Sequence, residues 1–204
     1  MVRNQALVET SLGLYYLLGR NKIHQWLDFG GGVGVFTRCM RDLGVNVFWQ
    51  DRHCENILAK GFEGDVTDPY DLVSSFEVWE HLADVSGELQ ALFSARPSFL
   101  FVHTLLRWDL DPSWWYLAPE TGQHIAFYSQ KTMNFIAQKF GYRAFAGHTY
   151  TLFVSRDSKL EPWKYSVLQT LMYRPQWISQ YGKIIHALKP IASLSTHDAQ
   201  AVLK

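Results

Sequence analysis

The residues best suited to chemistry fall in two short stretches. The first is Phe76-Glu77-Val78-Trp79-Glu80-His81-Leu82. If it is helical, Glu77, Glu80 and His81 stand at i, i+3 and i+4 and share one face. Imidazole exchanges a proton near neutral pH, which makes His81 a candidate general base with Glu80 beside it. Its alternative is a helix-cap or supporting histidine. Two carboxylates with imidazoles also suit Mg²⁺ or Mn²⁺. His124, within Pro119-Glu120-Thr121-Gly122-Gln123-His124, is a further donor for such a site. The simpler reading of the same residues has Glu77 touching a bound ligand and Glu80 structural.

The second stretch is Leu27-Asp28-Phe29-Gly30-Gly31-Gly32-Val33-Gly34. An apolar run feeds an acid and then glycines at alternate positions, and a helix-compatible run follows from Val35 to Leu43. Strand, tight glycine turn and helix form a unit whose backbone N–H groups can hold an anionic group. Two common ligands fit poorly. The dinucleotide fingerprint needs a glycine where Val35 stands, and the phosphate loop needs a lysine, which is missing between Lys22 and Lys60.

The elements that must position these groups alternate along the chain. Apolar spacing predicts a helix over 5–19 and strands near 25–29, 45–50, 61–63, 72–76 and 98–103. Helices are expected near 35–43, 54–60 and 86–95. Ser129 caps a further helix running to Phe140, which Gly141 stops. Runs at 142–148 and 150–155 close the pattern as a hairpin. The expected fold is α/β: a doubly wound, mostly parallel seven-stranded sheet with a terminal antiparallel hairpin. In such sheets ligands bind beyond the carboxyl ends of the strands.

Four features fall at those ends, and together they carry a resemblance. Asp28-x-Gly30-x-Gly32-x-Gly34 resembles motif I of the class I S-adenosylmethionine-dependent methyltransferases. Asp51 follows the second strand, Asp65-Val66 the third, and Glu77-x-x-Glu80-His81 the fourth. The resemblance spans about 23–155. It implies that Asp28, Gly30, Gly32 and Gly34 wrap the methionine part of S-adenosyl-L-methionine. It further implies that Asp51 accepts the ribose hydroxyls, that Asp65 and the Val66 N–H hold adenine (with Asp68 a competitor for Asp65), and that Phe76 and Glu77 also touch the cofactor. The Glu-x-x-Glu-His segment resembles that of small-molecule and RNA-end methyltransferases. It is also similar to the Mg or Mn site of RNA 3′-end and ubiquinone-pathway O-methyltransferases.

The expected activity is methyl transfer to a small-molecule acceptor, preferably a hydroxyl. Trp114-Trp115-Tyr116-Leu117-Ala118-Pro119 and the residues up to His124 resemble a segment of bacterial methyltransferases of surface-polysaccharide biosynthesis, which adds sugars and glycan precursors as acceptors. Trp108, Trp114, Trp115, Tyr116, Phe127 and Tyr128 supply rings that either stack on an acceptor or pack together. The alternatives are a metal-assisted methyltransferase of the RNA-end or quinone type and a cofactor-binding protein without turnover.

Composition narrows the choice. Lysine plus arginine and aspartate plus glutamate each number 19 in 204 residues, so no global basic field argues for nucleic acid. Cys39 and Cys54 form no zinc or redox motif, the first residues lack a signal-peptide core, and no run reaches transmembrane length. The expected compartment is the cytoplasm. Residues 1–158 are read as the methyltransferase domain and 159–204 as a basic aromatic extension. There Lys159, Lys164, Arg174, Lys183, Lys189 and Lys204 face only Glu161 and Asp198, a net charge of +4. A lid, a subunit contact or a peripheral membrane contact are its candidate roles. Pro162, Pro175 and Pro190 exclude one long helix.

Overall fold

The computed structural model describes residues 2–107 and 111–202, so Trp108 and Lys204 lie outside the described residues. Helix α1 (Val2–Leu18) precedes strand β1 (Trp26–Phe29), α2 (Val35–Asp42) and β2 (Val47–Gln50). Then come β3 (Leu72–Phe76), α3 (Val85–Ser94), β4 (Phe99–His103) and α4 (Gln130–Phe140), followed by the hairpin β5 (Tyr142–Ala146) and β6 (Tyr150–Ser155). Three helices finish the chain: α5 (Pro162–Met172), α6 (Pro175–Leu188) and α7 (Ser195–Val202). Pro162 and Pro175 each open a helix, where the missing N–H costs nothing.

The strands form one sheet of six, in the order β2-β1-β3-β4-β6-β5. β2, β1, β3 and β4 are parallel, and β6 pairs antiparallel with β4 and β5. The expected seventh strand, near 61–63, is reduced to a single parallel bridge between Trp49 and Glu63. Gly61 and Gly64 bound that run. Main-chain bonds make the bridge, from the Trp49 N–H to the Phe62 carbonyl and from the Gly64 N–H to the Trp49 carbonyl, while the Glu63 carboxylate accepts from the Gly61 N–H and the Asn56 amide. The expected helix at 54–60 is replaced by turns. Ile57 and Leu58 donate to the Val33 carbonyl, which folds this segment against the glycine turn.

Alternation along the strands sorts the core into two layers. Trp26, Leu72, Phe99, Phe101, Leu152 and Val154 point to the side covered by α1, α2, α5 and α6. Leu27, Val73, Leu100, Val102 and Phe153 point to the side covered by α3 and α4. Leu160, Leu168, Met172 and Ile178, all beyond residue 158, belong to the first layer. Arg41 of α2 reaches buried Asp198 of α7 through two 2.7 Å bonds. Burial opposes the Asp198 charge, but the guanidinium prevails and holds its carboxyl below the usual range.

Strand order reverses between β1 and β3. The chain runs from β1 outward to β2 and returns to β3 on the other side of β1. Loops leaving β1 and β3 therefore diverge and leave a crevice between them, the usual ligand position in an open parallel sheet.

Candidate active site

The glycine turn forms one wall of the crevice. Gly30 and Gly32 adopt φ of 74° and 54°, angles that a Cβ disfavours. A Cβ on Gly30 would lie 2.4 Å from the Val78 side chain, whereas one on Gly32 would meet nothing within 4 Å and would project into open space. Neighbouring groups fix the turn. Gly30 and Gly31 donate to the Gln50 carbonyl. The Trp49 indole N–H donates to the Gly32 carbonyl at 2.8 Å, and the Gly32 N–H donates to Asp51 at 2.9 Å. Asp51 also accepts the N–H groups of His53 and Cys54.

Beneath the turn, buried Asp28 accepts from the Thr37 hydroxyl at 3.1 Å and the Ser74 hydroxyl at 3.2 Å. Burial pushes its carboxyl up to about 7, against the pull of those two donors. Two hollows meet at Gly30, Gly32, Phe76 and Glu77. One, of about 220 Å³, is walled by Asn4, Leu7, Asp28 and Phe36. The other, of about 610 Å³, is walled by Asp51, Arg52, His53, His81, Leu82 and Gln123. Both open at the carboxyl ends of the parallel strands. A larger cavity of about 700 Å³, lined by Phe93, Ser98, Tyr142 and Ser155 among others, lies at the opposite end of the sheet, away from these groups.

The Glu-x-x-Glu-His segment departs from the helical expectation. Glu77 has φ of 56°, and only a single 3-10 turn follows, Trp79–His81. Such a backbone angle costs a residue with a side chain about 1–2 kcal/mol, and it turns Glu77 away from Glu80. Glu77 instead pairs with Nδ1 of His103, at the end of β4, and lines both hollows.

Glu80 takes a different course. It is fully buried and accepts the Tyr116 hydroxyl at 2.6 Å. Burial, then this carboxylate, pushes the Tyr116 phenol well above its ordinary range. Among the described residues, the second oxygen of Glu80 is buried without a hydrogen-bond partner. His81 Nδ1 faces the Gln123 carbonyl at 2.9 Å, and His124 Nδ1 faces the Tyr116 carbonyl at 2.5 Å. A carbonyl only accepts, so each Nδ1 carries the proton and each Nε2 keeps its lone pair. Donor atoms of Glu80, His81 and His124 lie within 4.8 Å of one another. The donor cluster is thus Glu80, His81 and His124, without Glu77.

Asp28, Gly30, Gly32, Asp51, Phe76, Glu77 and His81 border the two hollows, and Gly34 closes the turn. Asp65 and Val66 stand apart from these linings. Asp65 is exposed and accepts from the Thr67 N–H and hydroxyl, which hold its carboxyl below the usual range. Val66 is packed in the α3–α4 layer. Sequence reasoning missed Trp49, Arg52, His103 and Gln123. His103 was recoverable, as a histidine ending a strand whose carboxyl end faces the site. Trp49 reads from sequence as a core residue, and its bond to Gly32 needs the fold to be seen. Trp115 is exposed on the loop after β4, whereas Tyr116 is buried.

Residues 9–146 match the family model described as "Methyltransferase domain". The chain belongs to this family. With the fold, it is a class I S-adenosylmethionine-dependent methyltransferase. No curated protein matches the chain. Among solved structures, magnesium protoporphyrin IX methyltransferase from Synechocystis PCC 6803, with SAH bound, superposes with a TM-score of 0.55 at 16% identity, over 76% of this chain and 84% of that one. The methyltransferase domain of bacterial CtHen1-C gives 0.52 at 15% identity, over 74% and 98%. Mitomycin 7-O-methyltransferase MmcR gives 0.52 at 18% identity, over 73% and 53%. At these identities the likeness is one of fold.

Proposed function

We propose that this methyltransferase acts on a hydroxyl of a small-molecule acceptor, with a sugar or glycan precursor as the preferred class. The observation that carries the reading is that His81 and the glycine turn border one crevice, with the Nε2 lone pair of His81 left available. S-adenosylmethionine, when bound, supplies an electrophilic methyl group on a positively charged sulfur, which leaves as a thioether when the acceptor oxygen attacks.

The chain's own residues supply alignment and a proton acceptor. The turn at 30–34 and Asp28 would hold the amino-acid end of the cofactor, and Asp51 would accept hydrogen bonds from its ribose hydroxyls. The hydroxyl proton passes to Nε2 of His81. The Gln123 carbonyl holds the Nδ1 proton and so keeps Nε2 pointed to its task. Glu80, tied to Tyr116, steadies the loop that carries His124. Exposed Trp115 supplies a flat apolar face of the kind that stacks on sugars. The test is a screen of glycan, quinone and RNA acceptors for label from the cofactor methyl. Label on a sugar hydroxyl supports the reading, and label confined to an RNA terminus replaces it.

One observation favours a metal-assisted variant. Glu80 keeps a buried carboxylate oxygen without a partner, and ligand atoms of Glu80, His81 and His124 gather within 4.8 Å, a cluster that a divalent cation would satisfy. Glu80, His81 and His124 would hold Mg²⁺ or Mn²⁺, which would lower the acceptor hydroxyl's pKa. Their two nitrogens favour Mn²⁺. Full activity after rigorous chelation would remove this variant and leave His81 as the sole base.

A further inference from the structure

The C-terminal helices carry a surface that methyl transfer does not use. α6 buries Ile178 and Gly182 against α1, so closely that a Cβ on Gly13 would lie 2.0 Å from the Ile178 carbonyl oxygen. On another face of α6, Trp177, Tyr181, Ile184 and Leu188 follow one another at steps of four, three and four residues. That spacing places them on one stripe. All four are exposed, from 40% for Tyr181 to 72% for Leu188. Trp163 of α5 is exposed as well, and Val167, Leu171 and Trp177 line a shallow apolar groove between the two helices. Four large apolar side chains in one exposed row mark an interaction surface.

The charges around the stripe point to its occupant. Lys159, Arg174, Lys183 and Lys189 are exposed around these helices, Lys183 in a 2.9 Å pair with Glu9. The acids of the same segment are already engaged. Asp198 is buried against Arg41, and Glu161 pairs with Lys164. Aromatic and aliphatic groups beside Lys159, Arg174 and Lys189, which have no carboxylate partner among the described residues, match an anionic lipid headgroup layer. A second copy of the same face would instead bring like charges together. α6 also runs in the same direction as α1, because Glu9 meets Ser179 and Tyr16 meets His186. The Trp177 end therefore lies toward Asn4 and Leu7, which wall the smaller hollow.

We infer that the α5–α6 face docks on an anionic lipid surface, with the Trp177–Leu188 stripe among the headgroups and the crevice end of the molecule close to the bilayer. The inference goes beyond the acceptor reading and stands whichever acceptor is found. The full chain is floated with phosphatidylcholine vesicles, alone or mixed with phosphatidylglycerol. It should float with the mixed vesicles at low salt, show a blue shift of tryptophan emission, and dissociate as salt rises. Trp177→Ser with Ile184→Ser should weaken partitioning by about tenfold or more. Arg174→Gln and Lys189→Gln should each weaken it by about fivefold. The positions are exposed, so every variant should keep its circular dichroism and its S-adenosylhomocysteine affinity, which separates loss of docking from loss of fold or site. Failure to float with the mixed vesicles, or equal flotation with both kinds, overturns the inference. So does a dimer, found without lipid, that the stripe substitutions dissolve.

Discussion

The two ends of the crevice are built by different means. At the glycine turn the fixed parts are main chain. The N–H groups of Gly30, Gly31 and Gly32 are held by Gln50 and Asp51, all within residues 28–54. At the other end the parts are side chains from distant segments. Glu80 and His81 come from the turn after β3, and Tyr116 and His124 from the loop after β4. A backbone cradle binds whatever carries the same main-chain complement, and few substitutions adjust it. A side-chain cluster is retuned one residue at a time. The first end suits a cofactor that never changes, and the second an acceptor that differs between relatives.

If that division holds, substitutions at the two ends separate rate from cofactor affinity. The largest effect is expected at His81. His81→Ala should slow methyl transfer by about 10²–10⁴-fold while S-adenosylhomocysteine affinity, measured by calorimetry, stays within a few-fold of the parent. A large loss of affinity would instead move His81 to the cofactor end. Asp51→Ala comes next. Loss of an ionised acceptor for hydroxyl and N–H donors should weaken cofactor binding by about ten- to a hundredfold, with the rate at saturating cofactor little changed.

The smallest effect is a pH slope at Asp28. Its carboxyl titrates at about 7 in the folded chain and near 3.9 when unfolded. Between those values the folded state holds a proton that the unfolded state has lost. Stability should therefore fall as pH rises from about 4 to about 7, with the cost fully present above 7. The cofactor's ammonium favours the ionised form, so affinity should rise with pH over the approach to 7. Asp28→Asn should flatten both slopes relative to the parent. Unchanged slopes in that variant would show that another group titrates.

The same division explains what the sequence could disclose. The glycine turn, Asp28 and Asp51 were legible because their partners lie within a few dozen residues and their geometry depends on local backbone chemistry. The strands near 25–29, 45–50, 72–76 and 98–103 were legible for the same reason, as short apolar runs bounded by turn residues, whereas which face each residue takes, Trp26 against Leu27 and Phe99 against Leu100, is read from the structure. The strand near 61–63 was not legible as a single bridge, because how far it pairs with β2 depends on the approach of two separate segments, which local spacing does not carry. The helical reading of Glu77 to His81 failed at one backbone angle. Glu77 takes a left-handed conformation that sequence spacing cannot signal, and this exchanges its partners from Glu80 and His81 to His103. Asp65 and Val66 follow the single bridge at Glu63, and neither borders the two hollows.

The central claim is that the cofactor's amino-acid end lies against the main chain around Gly32, and Gly32→Val tests it most directly. An added Cβ there meets no protein atom within 4 Å, so the fold should persist, at a backbone cost of about 1–2 kcal/mol, while the side chain enters the crevice. Calorimetry with S-adenosylhomocysteine should show tight binding to the parent and a loss of about a hundredfold or more in a variant that keeps the parent's circular dichroism. A folded Gly32→Val protein that binds the ligand as tightly as the parent would contradict the account.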